Sequence, residues 1–188
     1  MRGVRPAFPL SPMIDFSRNH FDLLGLPARF RIDAQALERA YRALQTDVHP
    51  DRHAAGSDAE KRLALQASAR VNEAYRALQD PVSRAEYLLH LRGVDVRTET
   101  DNALPVAFLT EQLERREDAE EAADAQDERR LAALVDAVRA DAARLQTEVE
   151  VALDAGDLDR GRRRVRELRF LTKIVEDLDE MRAAVLDR

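Results

Sequence analysis

Few side chains in this 188-residue sequence could do chemistry unaided, because it has four histidines and no cysteine. Two of the histidines fall in one stretch, QTDVHPDRHAAGSD (residues 45–58), around a proline. His49 and His53 stand at the i, i+4 spacing with which a helix can offer two imidazoles to a metal ion. Pro50 breaks the helix that such a pair requires and no third ligand is evident nearby, so neither a metal nor another cofactor is expected. Covalent catalysis finds no support either. No Ser or Cys is evidently paired with His49, and no Gly-rich phosphate loop occurs in the chain. Without cysteine there are also no thiolate ligands and no disulfides. A bland alternative stands beside any functional one: a proline with polar neighbours is a common helix terminator, and His49 could simply be solvated.

The elements on either side of this stretch read as helices. Ala, Leu, Arg and Glu are abundant, Gly and aromatics are few, and the alternation expected of strands is missing. FDLLGL (residues 21–26) predicts a short helix closed near Gly25 and Pro27. Asp33 caps a second helix, whose apolar stripe is Leu37, Ala40, Tyr41, Leu44 and Val48 and which Pro50 ends. Ser57 and Glu60 form a capping box for a third helix, with Leu63, Ala67, Val71, Ala74, Tyr75 and Leu78 on its buried stripe. Pro81 suits the first turn of a fourth, PVSRAEYLLHL, ending at Gly93. The second and third should pack as an antiparallel hairpin with His49, Pro50 and Asp51 at its tip.

GVDVRTETDNAL (residues 93–104) breaks the apolar periodicity and reads as a linker. Three further helices are expected, near 105–122, near 125–155 and from Leu158 onward. The middle one carries Leu131, Leu134, Val138, Ala142, Leu145, Val149 and Ala152 at near-heptad spacing and stops at Gly156. The last carries Leu158, Val165, Leu168, Leu171, Val175, Leu178 and Val185. Each stripe must be buried, so the expected fold is all-α: a helical hairpin with short flanking helices, then an antiparallel three-helix bundle.

Charge also separates two modules. Residues 19–92 hold eleven Lys/Arg and ten Asp/Glu, whereas residues 93–188 hold sixteen and twenty-five, which hints at different partners. The basic run RGRRRVRELR (residues 160–169) is flanked by acidic segments and has few aromatics near it. Pairing with the acidic run Glu111–Glu128 is expected there rather than nucleic-acid binding. No apolar run reaches membrane-spanning length. Residues 1–18, interrupted by Pro6, Pro9 and Pro12, read as a disordered extension rather than a signal or transit peptide. A cytoplasmic protein with no membrane partner is the expectation.

In their order and spacing, FDLLGL, LERAYRALQTDVHPDR and VNEAYRALQDPVSRAEYL resemble the J-domain of DnaJ-type co-chaperones, which would occupy residues 19–92. The resemblance implies that His49, Pro50 and Asp51 dock on a DnaK-type chaperone and promote its ATP hydrolysis, with Arg39 and Arg42 as supporting cations. The physics agrees with that role. Pro50 stiffens the corner so that little entropy is lost on binding, and Asp51 can make a charge-assisted hydrogen bond to a partner cation. Arg39 and Arg42 would steer an acidic surface. Asp47 departs from the pattern, since J-domains usually carry a basic residue just before the tripeptide.

FDLLGLPARFRID, ASARVNEAYRALQDPVSRAEYLLHLRG, AFLTEQLERRE and RELRFLTKI further resemble the HscB-type J-proteins dedicated to iron–sulfur cluster assembly. The likeness implies a co-chaperone that is not an enzyme. Its C-terminal domain, residues 105–188, would hold an IscU-like iron–sulfur scaffold protein and deliver it to an HscA-like chaperone. The implied scaffold-facing residues are Leu109, Thr110, Leu113, Glu114, Glu117, Glu121 and Phe170, with Thr110 where a methionine is common. Periodicity by itself favours Leu109 and Leu113 as core contacts of their helix. Phe170, two residues from Leu168, faces away from the main stripe and could pack on the first bundle helix instead of a client. A general folding co-chaperone with a different client is the runner-up.

Overall fold

The structure is a computed structural model that describes residues 15–49, 52, 56–96 and 104–187. Pro50, Asp51 and His53 lie outside the described residues, as do residues 1–14 of the leading segment and 97–103 of the linker. The described residues form seven helices and no strand: α1 (His20–Leu23), α2 (Ala34–Val48), α3 (Asp58–Gln79), α4 (Pro81–Leu91), α5 (Val106–Asp124), α6 (Glu128–Asp154) and α7 (Leu158–Leu186). The fold is all-α, as the periodicity predicts. Packing divides it into two units, with α1–α3 in the first and Arg29–Arg31 and everything from Asp80 onward in the second.

In the first unit the caps follow local chemistry. Asp33 accepts hydrogen bonds from the N–H groups of Gln35 and Ala36 at the start of α2. Ser57 and Glu60 satisfy each other at the start of α3: the Ser57 N–H donates to the Glu60 carboxylate (2.7 Å) and the Glu60 N–H to the Ser57 hydroxyl (3.3 Å). Helices α2 and α3 run antiparallel, because Glu38 meets Tyr75 and Tyr41 meets Asn72 across the pair. Tyr41 and Tyr75 stack with centroids 4.1 Å apart. Toward the hairpin tip, Val48, Ala67 and Val71 are buried together, with Leu23, Tyr41 and Leu44 packed around them.

In the second unit Asp80 caps α4 and Pro81 occupies its first turn. Ion pairs Arg115–Asp141 and Arg130–Asp118 set α5 antiparallel to α6, and Arg139–Asp179 and Arg182–Glu128 do the same for α6 and α7. Along α6 the buried seam is Leu131, Val135, Val138, Ala142, Leu145, Val149 and Ala152. Val135, not the expected Leu134, holds the second place, since only that choice keeps the 4–3 alternation that holds a seam straight. Helices α4, α6 and α7 converge at Gly161. A Cβ there would sit 3.2 Å from Leu153 Cδ2 and 3.7 Å from Leu89 Cδ2, so the residue's smallness sets the approach.

The basic run of α7 pairs within the chain, as the sequence suggests, with acids of α4, α6 and α7 among its partners. Arg164 binds Glu148 and Glu167, Arg169 binds Glu86 on α4, and the buried Arg166 donates to the Val96 carbonyl. Four acids of α5 pair with nearer cations: Glu111 with Arg115, Glu120 with Arg116, and Asp118 and Glu121 with Arg130. Partners one turn away, or across the adjoining helix, win over more distant ones.

Candidate functional site

Two surfaces hold the residues singled out by the sequence, one in each unit. The first is the tip of the α2–α3 hairpin. Val48, the last residue of α2, is buried and anchors the helix end, while the adjacent His49 is exposed with extended backbone (φ −60°, ψ 128°). The N–H of Arg52 donates to the His49 carbonyl (3.0 Å). Arg52 also turns its side chain back, donating to the Thr46 carbonyl at 3.2 Å and to Asp47 Oδ1 at 3.3 Å.

Arg39 and Arg42 lie on α2, one turn apart, and both are exposed. Arg39 sits 3.7 Å from Asp33, and Arg42 donates to Glu38 Oε1 at 2.6 Å with its side chain 77 % exposed. Glu38 has a second attachment, because the Tyr75 hydroxyl of α3 donates to its other oxygen at 2.6 Å. The Tyr75 hydrogen bond, then that of Arg42, hold the Glu38 carboxyl below its usual pKa, and the same carboxylate pushes the Tyr75 hydroxyl up. Glu38 thus stays ionised and ties the orientation of Arg42 to the hairpin.

The second surface is α5. Its inward row is Phe108, Gln112, Arg115, Ala119 and Ala122, of which Gln112 and the two alanines are buried. The outward row carries the large apolar residues: Val106 is 79 % exposed, Leu109 40 % and Leu113 58 %. Leu109 and Leu113 are therefore not core contacts, contrary to what periodicity favours, because a glutamine and small alanines take the seam. Thr110, Glu114, Glu117 and Glu121 are also exposed. The Thr110 hydroxyl donates back to the Val106 carbonyl, and Glu121 pairs with Arg130. Phe170 of α7 is half-buried against Phe108. Val106 extends the outward row by one turn toward the N-terminus. Its apolar type at i−3 from Leu109 was the available signal.

A cleft of about 390 Å³ opens between α5, α6 and α7, bounded by Phe108, Gln112, Leu145 and Leu171. Its charged residues satisfy one another, Arg164 with Glu148 and Glu167, and Arg144 with Asp141. Among the described residues no group of three or more His, Asp or Glu is placed to hold a metal ion. None of the described helices is long and apolar enough to cross a membrane.

A hairpin that displays an exposed His at its tip, joined to a helical bundle with an apolar–acidic outer face, defines a J-domain co-chaperone. The DnaJ domain family model matches residues 19–87, and that of the HSCB C-terminal oligomerisation domain matches residues 104–179. The chain belongs to the HscB co-chaperone family. It is 44 % identical over 166 residues to the co-chaperone protein HscB homolog of Paraburkholderia xenovorans (strain LB400), covering 88 % of this chain and 95 % of that one. The homolog of Burkholderia mallei (strain SAVP1) is 45 % identical over the same shares. Among solved structures, chaperone HscB from Vibrio cholerae superimposes with a TM-score of 0.82 at 32 % identity, covering 89 % of this chain and 99 % of that one. Human co-chaperone protein HscB gives 0.83 at 27 % identity, covering 94 % and 93 %.

Proposed function

We propose that this chain stimulates ATP hydrolysis by an HscA-like chaperone of the DnaK type and delivers an IscU-like iron–sulfur scaffold protein to it. It would do so in the cytoplasm, as an adaptor without catalysis or a cofactor of its own. His49, Pro50 and Asp51 are the docking corner, supported by Arg39 and Arg42. The scaffold is held by the outer face of α5, through Leu109, Thr110, Leu113, Glu114, Glu117 and Glu121, with Phe170 beside it. Residues 19–92 and 105–188 are the two functional segments, joined by 93–104.

The observation that carries this reading is the exposure of Leu109 and Leu113 on a helix that buries Gln112 instead. Two leucines left in water while a glutamine is buried make sense when a partner covers them. The acids that follow on the same side suit a mixed apolar and basic partner surface. The test is a pair of measurements on the full chain. His49→Gln should abolish stimulation of the chaperone ATPase while scaffold binding persists. Leu109→Ala/Leu113→Ala should do the reverse. Unaltered stimulation by the first variant, or unaltered scaffold affinity of the second, refutes the corresponding half.

A further inference from the structure

Arg52 makes three contacts with the end of α2 and the residue that follows it. Its backbone N–H closes on the His49 carbonyl, and its guanidinium reaches across to the Thr46 carbonyl and the Asp47 carboxylate. Electrostatics at the end of α2 explain the arrangement. The last turn of a helix exposes unsatisfied carbonyls and disfavours anions. No basic residue stands in the last turn of α2, and Asp47 stands there instead. Arg52 brings the missing cation from beyond the helix, donates to a terminal carbonyl and offsets Asp47. Both side chains stay more than half exposed, 58 % for Arg52 and 64 % for Asp47, so the pair contributes little to folding. What it does fix is the place of a positive charge beside His49.

We propose that Asp47 is a positioning residue for chaperone docking: with the Thr46 carbonyl it holds the Arg52 guanidinium at the end of α2, next to His49, where Arg52 presents a cation to the partner. The proposal rests on the reading of the tripeptide as the docking corner. The surface it fits is acidic, of the same sign that the exposed Arg39 and Arg42 fit. In this role Asp47 acts through Arg52. Without that anchor the guanidinium would sample many rotamers, and its ordering would fall on the binding step.

The experiment measures the steady-state ATPase rate of a DnaK-type chaperone against the concentration of the full chain. Wild type, His49→Gln, Asp47→Asn, Asp47→Glu, Arg52→Gln and the double variant Asp47→Asn/Arg52→Gln are compared. Asp47→Asn and Arg52→Gln should each raise the half-maximal concentration about three- to tenfold, with a much smaller effect on the maximal rate. Asp47→Glu, which keeps the charge, should recover most of the loss. The double variant should match Arg52→Gln alone, because two residues acting through one contact do not add. A half-maximal concentration that Asp47→Asn leaves unmoved, or a double variant whose effects multiply, overturns the proposal; stimulation still abolished by His49→Gln then keeps the docking reading intact. A wild-type chain that fails to stimulate removes the docking reading and the proposal together. Unfolding curves of the single variants should superimpose on wild type, and a variant that loses its fold overturns a positioning role in favour of a structural one.

Discussion

Phe108 and Phe170 meet edge to face between α5 and α7, with ring centroids 5.7 Å apart and planes at 71°. That geometry is favourable for two aromatic quadrupoles and gives Phe170 a packing duty inside the bundle. Leu109, the neighbour of Phe108, points the other way and is 40 % exposed. One residue step on α5 therefore separates the side that holds the helix from the side that is free to hold a partner.

Substitutions on the two sides should accordingly separate stability from binding. Phe170→Ala removes half-buried aromatic packing and should lower the unfolding free energy by about 2 kcal/mol. Leu109→Ala and Leu113→Ala remove exposed groups and should shift it by less than about 0.5 kcal/mol. Together the two leucine changes should weaken scaffold binding by at least about 2 kcal/mol if they form the centre of that interface. Chemical denaturation beside calorimetric titration checks both. Leucine variants that melt like Phe170→Ala would place all three residues in the core.

The turns on either side of α6 make a matched comparison. At α5–α6 the N–H of Gln126 donates to the Ala123 carbonyl and that of Asp127 to the Ala122 carbonyl; at α6–α7 Gly156 donates to Leu153 and Asp157 to Ala152. Both are Schellman closures, and in both the following Asp caps the next helix, Asp127 on Arg130 and Asp157 on Arg160. The left-handed position differs: Gln126 at φ 55° against Gly156 at φ 74°. A residue with a Cβ is strained there by roughly 1 kcal/mol. Gln126→Gly should therefore stabilise the chain by about 1 kcal/mol, and Gly156→Gln should destabilise it by a similar amount. Thermal melts should move by about 2–4 °C in opposite directions. Shifts of the same sign would discount the strain.

Much of the helical frame was readable because caps and stops act locally. Asp33, Ser57 with Glu60, Pro81 and Gly156 each satisfy or remove a backbone group within a few residues, and each ends or begins a helix where expected. The inward face of α5 was not readable. Gln112 and Arg115 put polar side chains on its seam, and Leu109 and Leu113 put the apolar signal on the opposite side. The Gln126 turn carries no glycine to announce it. Arg52 and Glu38 escaped notice for another reason. What they do depends on Arg52 reaching back to the end of α2 and on a second helix supplying Tyr75, neither of which is visible from spacing along one helix.

His20 gives the first unit a dependence on pH that can be signed from its surroundings. It is buried at the start of α1, 4 % exposed, with Arg70 and Glu73 of α3 as its charged neighbours. Burial first, and then the charge of Arg70, hold its pKa below the usual 6.5, with Glu73 opposing them. The folded state therefore prefers the neutral ring, whereas the unfolded chain takes up a proton as soon as pH falls past about 6.5. Stability from this group is complete above that pH and is lost as pH falls toward the folded-state value. Glu38, also depressed, adds its own loss only lower down, below its usual 4.5. Unfolding free energies measured between pH 7.5 and 5.5 should thus decline with a slope of up to about one proton taken up on unfolding. His20→Gln should start lower and run flatter over the same range. A wild-type slope of zero there, or one that His20→Gln leaves unchanged, would mean that the ring is not held neutral in α1.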